Sequence, residues 1–225
     1  MMISAYQGPT ITKNEFFEEH GFLVVKNLWD AEELYHPLPS VRGKLEYVDR
    51  NPDHFNHLPV ESQVPGALSR YGHPQYRMIH SGIRGRIEEV LGDSLYNTYY
   101  YDRFYFPGQA LAKHKDRDAC EISVTVHCST NLPDNKKDWP ICIETPSGVV
   151  GEIILEAGDG VIYKGCERFH WRYPMPSPRR KIFGKNPEYY YHQIFFHYVL
   201  QNGYRTHFAG DNNPGVTQIE MEVNK

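Results

Sequence analysis

From Leu95 onward the chain consists largely of short runs of aromatic and β-branched residues, separated by turn residues. Such runs are too short for helices and are typical of strands in an all-β core. Strands are predicted at residues 96–106, 121–130, 140–145, 149–155, 160–165 and 189–200. The segments LPDNKKD, PSG and AGDG supply turns between them. Closely spaced short strands favour two packed sheets or a barrel, so this pattern limits the fold more than any other feature.

The N-terminal part of the chain has signals for a helix, a strand and a second helix. Thr12 is placed to cap a helix, with Glu15 completing a capping box and Gly21 ending the helix. The sequence FLVVKNL, residues 22–28, predicts a strand. Asp30 then predicts the start of the second helix.

The remaining segments complete a prediction for the whole chain. Residues 37–79 are rich in proline without a sustained period, which predicts irregular chain, whereas residues 81–92 predict an amphipathic helix. We expect one domain, because all-β chains of 225 residues need not divide. Its expected parts are helical and irregular cover at 1–94, a β-barrel core at 95–200 and a C-terminal tail at 201–225. The predicted class is mainly β with N-terminal helices.

Composition argues against several classes of protein. The net charge is −4 and the basic residues are scattered, which gives no support for a nucleic-acid or membrane partner. The four cysteines include no C-x-x-C pair and are too few for a disulfide scaffold, so reduced thiols in the cytoplasm are expected. No apolar segment approaches the length of a membrane span, and no signal-peptide pattern is present. The oligomeric state is left open.

The charged segment AKHKDRDACE, residues 112–121, leads directly into a predicted strand. In an extended chain residues i and i+2 point to the same side, so His114 and Asp116 can present an imidazole and a carboxylate to one point. A solvated charged turn explains the same three residues. A third ligand is needed to distinguish the two interpretations.

His170 is the best candidate for that third ligand, because a Gly-Asp-Gly turn starts the strand whose far end leads to it. His127, His192 and His197 lie inside predicted strands and remain alternatives, although buried histidines of this kind more often make structural hydrogen bonds. Two imidazoles and one carboxylate leave coordination positions open, which suits non-haem Fe(II). A closed zinc site needs four ligands, usually cysteine-rich, and the cysteine spacing does not provide them.

Several motifs together resemble the Fe(II)/2-oxoglutarate-dependent dioxygenases over most of the chain. FFEEHGFLVVKNLWDAEEL resembles the entry segment of the phytanoyl-CoA and prolyl hydroxylase branches, and YFPGQALAKHKD resembles the prolyl 4-hydroxylase pattern. EAGDGVIYKGCERFHWR resembles the strand with the distal histidine, and QIFFHYVLQNG the closing strand. The resemblance implies a double-stranded β-helix, a cupin-like jelly roll. It also implies that His114, Asp116 and His170 are the catalytic Fe(II) ligands and that Tyr105 hydrogen-bonds 2-oxoglutarate.

The residue that anchors the distal carboxylate of 2-oxoglutarate departs from the family pattern. The family usually carries an Arg or Lys about ten residues past the distal histidine, on the last strand, and that strand here contains neither. Arg172 is favoured, because it lies two residues after His170 on the same side of an extended chain. Arg180 has the usual spacing and is the alternative. A planar guanidinium grips a carboxylate through two bonds, which favours arginine over Lys181.

The resemblance implies an oxygenase that consumes O₂ and 2-oxoglutarate, releases succinate and CO₂, and usually hydroxylates an aliphatic C–H bond. Ascorbate is a candidate stimulant. The substrate is expected to be a small molecule or a peptide, and the likeness to prolyl hydroxylases slightly favours a peptide. Two other functions stay open: a non-catalytic cupin-type metal-binding barrel, and a cupin metal-dependent isomerase or hydrolase.

Other residues near the expected site have two interpretations each. The polar face of strand 121–130 either lines the cavity, with Ser123 or Thr125 near the cosubstrate, or faces solvent. Residues 173–190 form either a lid over the site or a surface insertion. Three residues are candidates to orient the imidazoles: Asp118, Glu121 and Trp171.

Overall fold

A computed structural model describes residues 12–35, 63–178 and 189–212 of the chain. The α-helices in these ranges are α1 (Lys13–His20), α2 (Ala31–Leu34) and α3 (Arg77–Leu91). The strands are β1 (Phe22–Val25), β2 (Leu68–Tyr71), β3 (Leu95–Tyr105), β4 (Leu111–His114), β5 (Ile122–Thr130), β6 (Ile141–Glu144), β7 (Val150–Ile153), β8 (Gly160–Tyr163), β9 (His170–Arg172) and β10 (Tyr191–Leu200).

The strands form two antiparallel sheets. The main sheet has six strands in the order β1-β8-β5-β10-β3-β2, and the smaller sheet has four in the order β4-β9-β6-β7. All the strands predicted from residue 95 onward are present, which confirms a mainly β chain. The strands β2, β4 and β9 were not predicted, because three or four residues show too little alternation to be distinguished from a loop.

The segment before residue 95 does more than cover the core. Strand β1 pairs with β8, and β2 pairs with β3, so both edges of the main sheet come from this segment. The expected boundary between cover at 1–94 and core at 95–200 therefore does not match the sheets. Residues 22–28 were predicted as a strand, but the pairing of β1 and β2 with distant strands depends on sheet register, which local sequence does not specify.

Helix α1 has the predicted caps at both ends. Thr12 Oγ1 accepts a hydrogen bond from Glu15 N at 3.1 Å, and Glu15 Oε2 accepts one from Thr12 N at 2.6 Å. Gly21 ends the helix with a φ of 74°, a conformation in which glycine has no steric penalty. These bonds satisfy backbone groups that the first and last turns leave free.

Replacing Thr12 with alanine should lower the free energy of unfolding by about 1 kcal/mol, because the cap of α1 is lost. Urea denaturation of the two proteins measures this difference. Glu19→Ala, at an exposed position of the same helix, is the matched control and should change stability much less. Equal effects from both substitutions would contradict the capping role of Thr12.

The outer face of the main sheet is covered by helices. Ile122, Val124 and Val126 of β5 are buried in one apolar cluster with Ile83 and Ile87 of α3. Alternate residues of a strand point to opposite sides. The polar face of β5 therefore points between the two sheets and not into solvent, which decides between the two alternatives for this strand.

None of the helices in the described ranges is long and apolar enough to cross a membrane. All four cysteines are free, and three of them are buried. This state of the thiols agrees with the spacing of the cysteines in the sequence.

Candidate metal centre

The register between β4 and β9 brings two of the predicted ligands together. His114 and His170 are paired residues on these neighbouring strands, and their ring centroids lie 4.3 Å apart. Asp116 follows two residues after His114, and its backbone N–H donates to Gly165 O at 3.0 Å. Asp116 Oδ1 lies 3.6 Å from His114 Nε2 and 3.4 Å from His170 Nε2. The three predicted ligands thus converge on one point.

Both imidazoles are held in an orientation that suits a metal ligand. His114 Nδ1 lies 2.8 Å from Ala112 O, and His170 Nδ1 lies 3.0 Å from Arg168 O. A carbonyl oxygen can only accept, so Nδ1 carries a hydrogen in each ring and Nε2 is the ring nitrogen left to bind a metal. Both Nε2 atoms face the Asp116 carboxylate.

The side chains expected to orient the imidazoles do not do so. Asp118 and Glu121 instead accept hydrogen bonds from Arg205, at 2.9 and 3.1 Å. Trp171 packs against Lys113, whose ammonium lies 4.8 Å from a Trp171 ring centroid. Backbone carbonyls take over the orienting role, and sequence patterns carry no signal for them.

The Asp116 carboxyl group is electrostatically prepared for a cation. Burial raises its pKa, but the hydrogen bonds to His114 and His170 outweigh burial and hold the pKa well below its usual value. The group is therefore an ionised carboxylate. An anionic oxygen beside two imidazole nitrogens is a donor set that fits a divalent transition metal.

The alternative third ligands lie elsewhere or are otherwise engaged. His192 points to the opposite side of the main sheet, where its Nε2 lies 2.7 Å from Asp102 Oδ2 in a buried network with Arg70. His127 Nδ1 lies 3.2 Å from the backbone oxygen of His192. His197 is close to Asp116, but on the side of Cys120. Among the four candidates, His170 is the one that the structure places beside both His114 and Asp116.

A cavity between the two sheets opens beside these residues, and Arg172 lines it. The Arg172 side chain is only 2% exposed, and its Nη1 donates to the backbone oxygen of Trp139. Within the described residues, its Nε and Nη2 atoms have no hydrogen-bond partner. Two residues of strand span about 6–7 Å. Arg172 therefore offers two buried hydrogen-bond donors two residues along β9 from His170.

Arg103 also lines the cavity, and sequence analysis did not select it. Its guanidinium donates to Tyr105 Oη at 3.0 Å, to Gln63 Oε1 at 3.0 Å and to Ser69 Oγ at 3.3 Å. The available signal was a charged residue in the middle of an aromatic strand. Tyr105 itself is fully buried, is not among the side chains that line the cavity, and uses its hydroxyl as an acceptor for Arg103. Its contact with 2-oxoglutarate stays a prediction.

Part of the segment 173–190 is described, whereas Arg180 and Lys181 lie outside the described residues. The first part of the segment is hydrogen-bonded to the turn between β3 and β4. Met175 O accepts from Gly108 N at 2.9 Å, and Met175 N donates to Gln109 O at 2.7 Å. The role of this segment as a lid stays a prediction.

The chain was compared with known families, sequences and structures. No protein-family model and no curated protein matches it. Solved structures do match. A prolyl-4-hydroxylase from Pseudomonas putida is 16% identical, with a TM-score of 0.54 over 81% of this chain and 95% of that one. An oxidoreductase of the 2OG-Fe(II) oxygenase family from Burkholderia pseudomallei is 10% identical, with a TM-score of 0.59 over 88% and 94%.

A further match is HygX from Streptomyces hygroscopicus, whose structure contains nickel, 2-oxoglutarate and hygromycin B. It is 13% identical, with a TM-score of 0.56 over 84% of this chain and 86% of that one. These likenesses extend over most of both chains. The chain therefore has the jelly-roll fold of the 2-oxoglutarate-Fe(II) oxygenases, the superfamily that its motifs resemble.

Proposed function

We propose that the protein is a non-haem Fe(II), 2-oxoglutarate-dependent dioxygenase. One observation supports this most strongly: two imidazole nitrogens and an ionised carboxylate converge beside a cavity that also contains buried Arg172 donors. The solved structures with the same fold include HygX, which binds nickel and 2-oxoglutarate. The donor set and the buried cation of this chain fit both groups.

His114, Asp116 and His170 would hold the metal, and Arg172 would hold the distal carboxylate of 2-oxoglutarate. When bound, Fe(II) and 2-oxoglutarate supply O₂ activation, in which 2-oxoglutarate is oxidised to succinate and CO₂ and one oxygen atom enters the substrate. Three protein ligands leave positions of the metal open to other ligands.

The side chains around the cavity would keep water away from the metal centre and hold the Arg172 guanidinium in place. Tyr101 and Phe195 line the cavity from the main sheet, and Leu111 and Ile141 line it from the smaller sheet. These apolar surfaces exclude water around the metal centre. Arg172 is held by Trp139 and Tyr191, over whose rings its guanidinium lies at 4.6 and 5.3 Å. A guanidinium so fixed can bind a carboxylate with little loss of entropy.

The substrate proposal is hydroxylation of an aliphatic C–H bond in a peptide, with proline as one candidate, or in a small molecule. The fold is shared with a prolyl-4-hydroxylase and with HygX, whose structure holds hygromycin B. The prolyl 4-hydroxylase likeness of residues 105–116 favours a peptide. We also propose that the chain acts as a single domain in the cytoplasm, as its composition indicates.

Anaerobic addition of Fe(II) and then 2-oxoglutarate tests the proposal. We expect a metal-to-ligand charge-transfer band in the visible spectrum, and succinate once O₂ is admitted. Folded, Fe(II)-loaded protein that shows neither the band nor succinate would refute the oxygenase function. Metal binding without 2-oxoglutarate binding would instead indicate a cupin-type binding barrel. Turnover of a substrate without consumption of 2-oxoglutarate would indicate an isomerase or hydrolase.

A further inference from the structure

The Ser123 hydroxyl lies between a candidate metal ligand and a histidine of the cavity wall. Ser123 Oγ is 2.8 Å from Asp116 Oδ2 and 3.0 Å from His197 Nδ1. Ser123 on β5 and His197 on β10 are paired residues in the main sheet, and they are 0% and 2% exposed. The three side chains therefore form a continuous hydrogen-bonded chain from the wall of the cavity to the metal centre, and its Ser123 and His197 members are buried.

The direction of each hydrogen bond follows from the number of hydrogens available. The Asp116 carboxylate can only accept, and two acceptor oxygens do not remain 2.8 Å apart unless a hydrogen lies between them. The single hydroxyl hydrogen of Ser123 therefore points to Asp116 Oδ2, in preference to Cys120 O at 3.3 Å. Ser123 Oγ must then accept from His197, so His197 Nδ1 carries the hydrogen of that ring.

The two carboxylate oxygens of Asp116 have different partners. Oδ1 faces the Nε2 atoms of His114 and His170, whereas Oδ2 is bound by Ser123. The carboxylate therefore offers one oxygen to a metal. In His197 the remaining nitrogen, Nε2, keeps a lone pair; it is buried and has no hydrogen-bond partner in the described part of the chain.

Gly165 packs directly against this contact. A Cβ atom at Gly165 would lie 2.4 Å from both Cys120 O and Ser123 Oγ, and 2.6 Å from Asp116 Oδ2. Real Cβ atoms do not approach other heavy atoms so closely. Gly165 O also accepts from Asp116 N at 3.0 Å. The absence of a side chain at residue 165 thus makes room for the bond between Ser123 and Asp116.

We propose that Ser123 and His197 are positioning residues that hold Asp116 as a one-oxygen metal ligand through the hydrogen-bonded chain His197–Ser123–Asp116. This inference rests on the proposed metal centre. Groups that orient metal ligands in this way raise the affinity for the metal. Ser123 acts on Asp116 directly, and His197 acts through Ser123 by donating from Nδ1.

Four variants test the two roles. Ser123→Ala removes the donor to Asp116. His197→Asn keeps an amide N–H near the place of Nδ1, whereas His197→Gln puts its amide near Nε2 and loses the bond to Ser123. Thr125→Val is the matched control, because Thr125 is a fully buried residue on the same face of β5 whose hydroxyl lies 3.4 Å from Tyr163 Oη.

Anaerobic Fe(II) titration against a competing chelator measures the affinity of each variant, and thermal unfolding of the metal-free proteins checks their folding. We expect Ser123→Ala and His197→Gln to weaken Fe(II) binding roughly 10- to 100-fold. His197→Asn and Thr125→Val should stay close to the unmodified protein. Unchanged affinity in Ser123→Ala, or an equal loss in all four variants, would overturn the positioning role.

Nitrogen-15 NMR of histidine-labelled protein gives a second readout that does not depend on activity. The His197 resonances, assigned by their loss in His197→Gln, should show a protonated Nδ1 and an unprotonated Nε2. The opposite tautomer would overturn the proposed chain. If the unmodified protein fails to bind Fe(II), the proposed function also fails. If it binds Fe(II) and 2-oxoglutarate and the variants bind equally well, this inference alone fails.

Discussion

Replacing His170 with alanine should weaken Fe(II) binding more than about a hundredfold, beyond the loss typical of residues that only orient a ligand. His170 is a buried imidazole whose Nε2 lies 3.4 Å from Asp116 Oδ1, so the substitution removes one of three donors. Succinate production should fall with the metal, to the background of Fe(II) in buffer. Titration against a chelator and a succinate assay at saturating 2-oxoglutarate measure the two losses.

The control for this prediction is His207→Ala, which removes an exposed histidine, so that the two variants contain the same number of histidines. It should bind Fe(II) as the unmodified protein does. Asp116→Asn provides a second test of the same centre, because an amide retains the size of the carboxylate without its charge. Fe(II) affinity that survives both His170→Ala and Asp116→Asn would place the metal elsewhere in the chain.

Replacing Arg172 with alanine should weaken 2-oxoglutarate binding by about 2–5 kcal/mol, the usual cost of removing one partner from a buried charged pair. This corresponds to roughly a thirty- to several-thousandfold rise in Kd. Fe(II) affinity should change little, since Arg172 is not a metal ligand. Titration of the charge-transfer band with 2-oxoglutarate measures the effect. Arg172→Lys should give an intermediate loss, because an ammonium retains the charge without the planar pair of donors.

Arg180→Ala is the matched comparison, because Arg180 is the alternative anchor. It should leave the 2-oxoglutarate affinity unchanged. Since Arg172 also packs on Trp139 and Tyr191, thermal unfolding of each variant must accompany the titration. A strong effect of Arg180→Ala with none from Arg172→Ala would reverse the assignment. Small and equal effects from both would move the carboxylate to another cation, with Arg103 the next residue in the cavity to test.

Local sequence predicted the elements with strong local signals. The capping box consists of two hydrogen bonds between Thr12 and Glu15, which are three residues apart. The start of α1 can therefore be predicted without the rest of the fold. Strand β5 alternates over many residues and β10 is a long run rich in aromatic and β-branched residues, which identifies both in the same way. Strands β2 and β9 have four and three residues, and only their partners stabilise them as strands.

The candidate ligands are also of two kinds. His114 and Asp116 are two residues apart, so backbone geometry alone puts them on one side of an extended chain. His170 was selected by its motif, and its position beside His114 depends on the register of β9 with β4. The local signals at Arg103 and Ser123, a charge in an aromatic strand and a polar strand face, did not specify their partners, because Gln63 and Asp116 reach them through the folded chain.

The sequence by itself thus determined the mainly β class and the caps of α1, and it predicted the pair formed by His114 and Asp116 and Arg172 as the favoured anchor. Each follows from periodicity, spacing or motif within a short segment. Only the tertiary structure decided that His170 joins that pair, that both imidazoles donate Nδ1–H to backbone carbonyls, and that Ser123 holds Asp116. The physical reason is that hydrogen bonds between distant strands depend on sheet register and burial, which residues nearby in sequence do not specify.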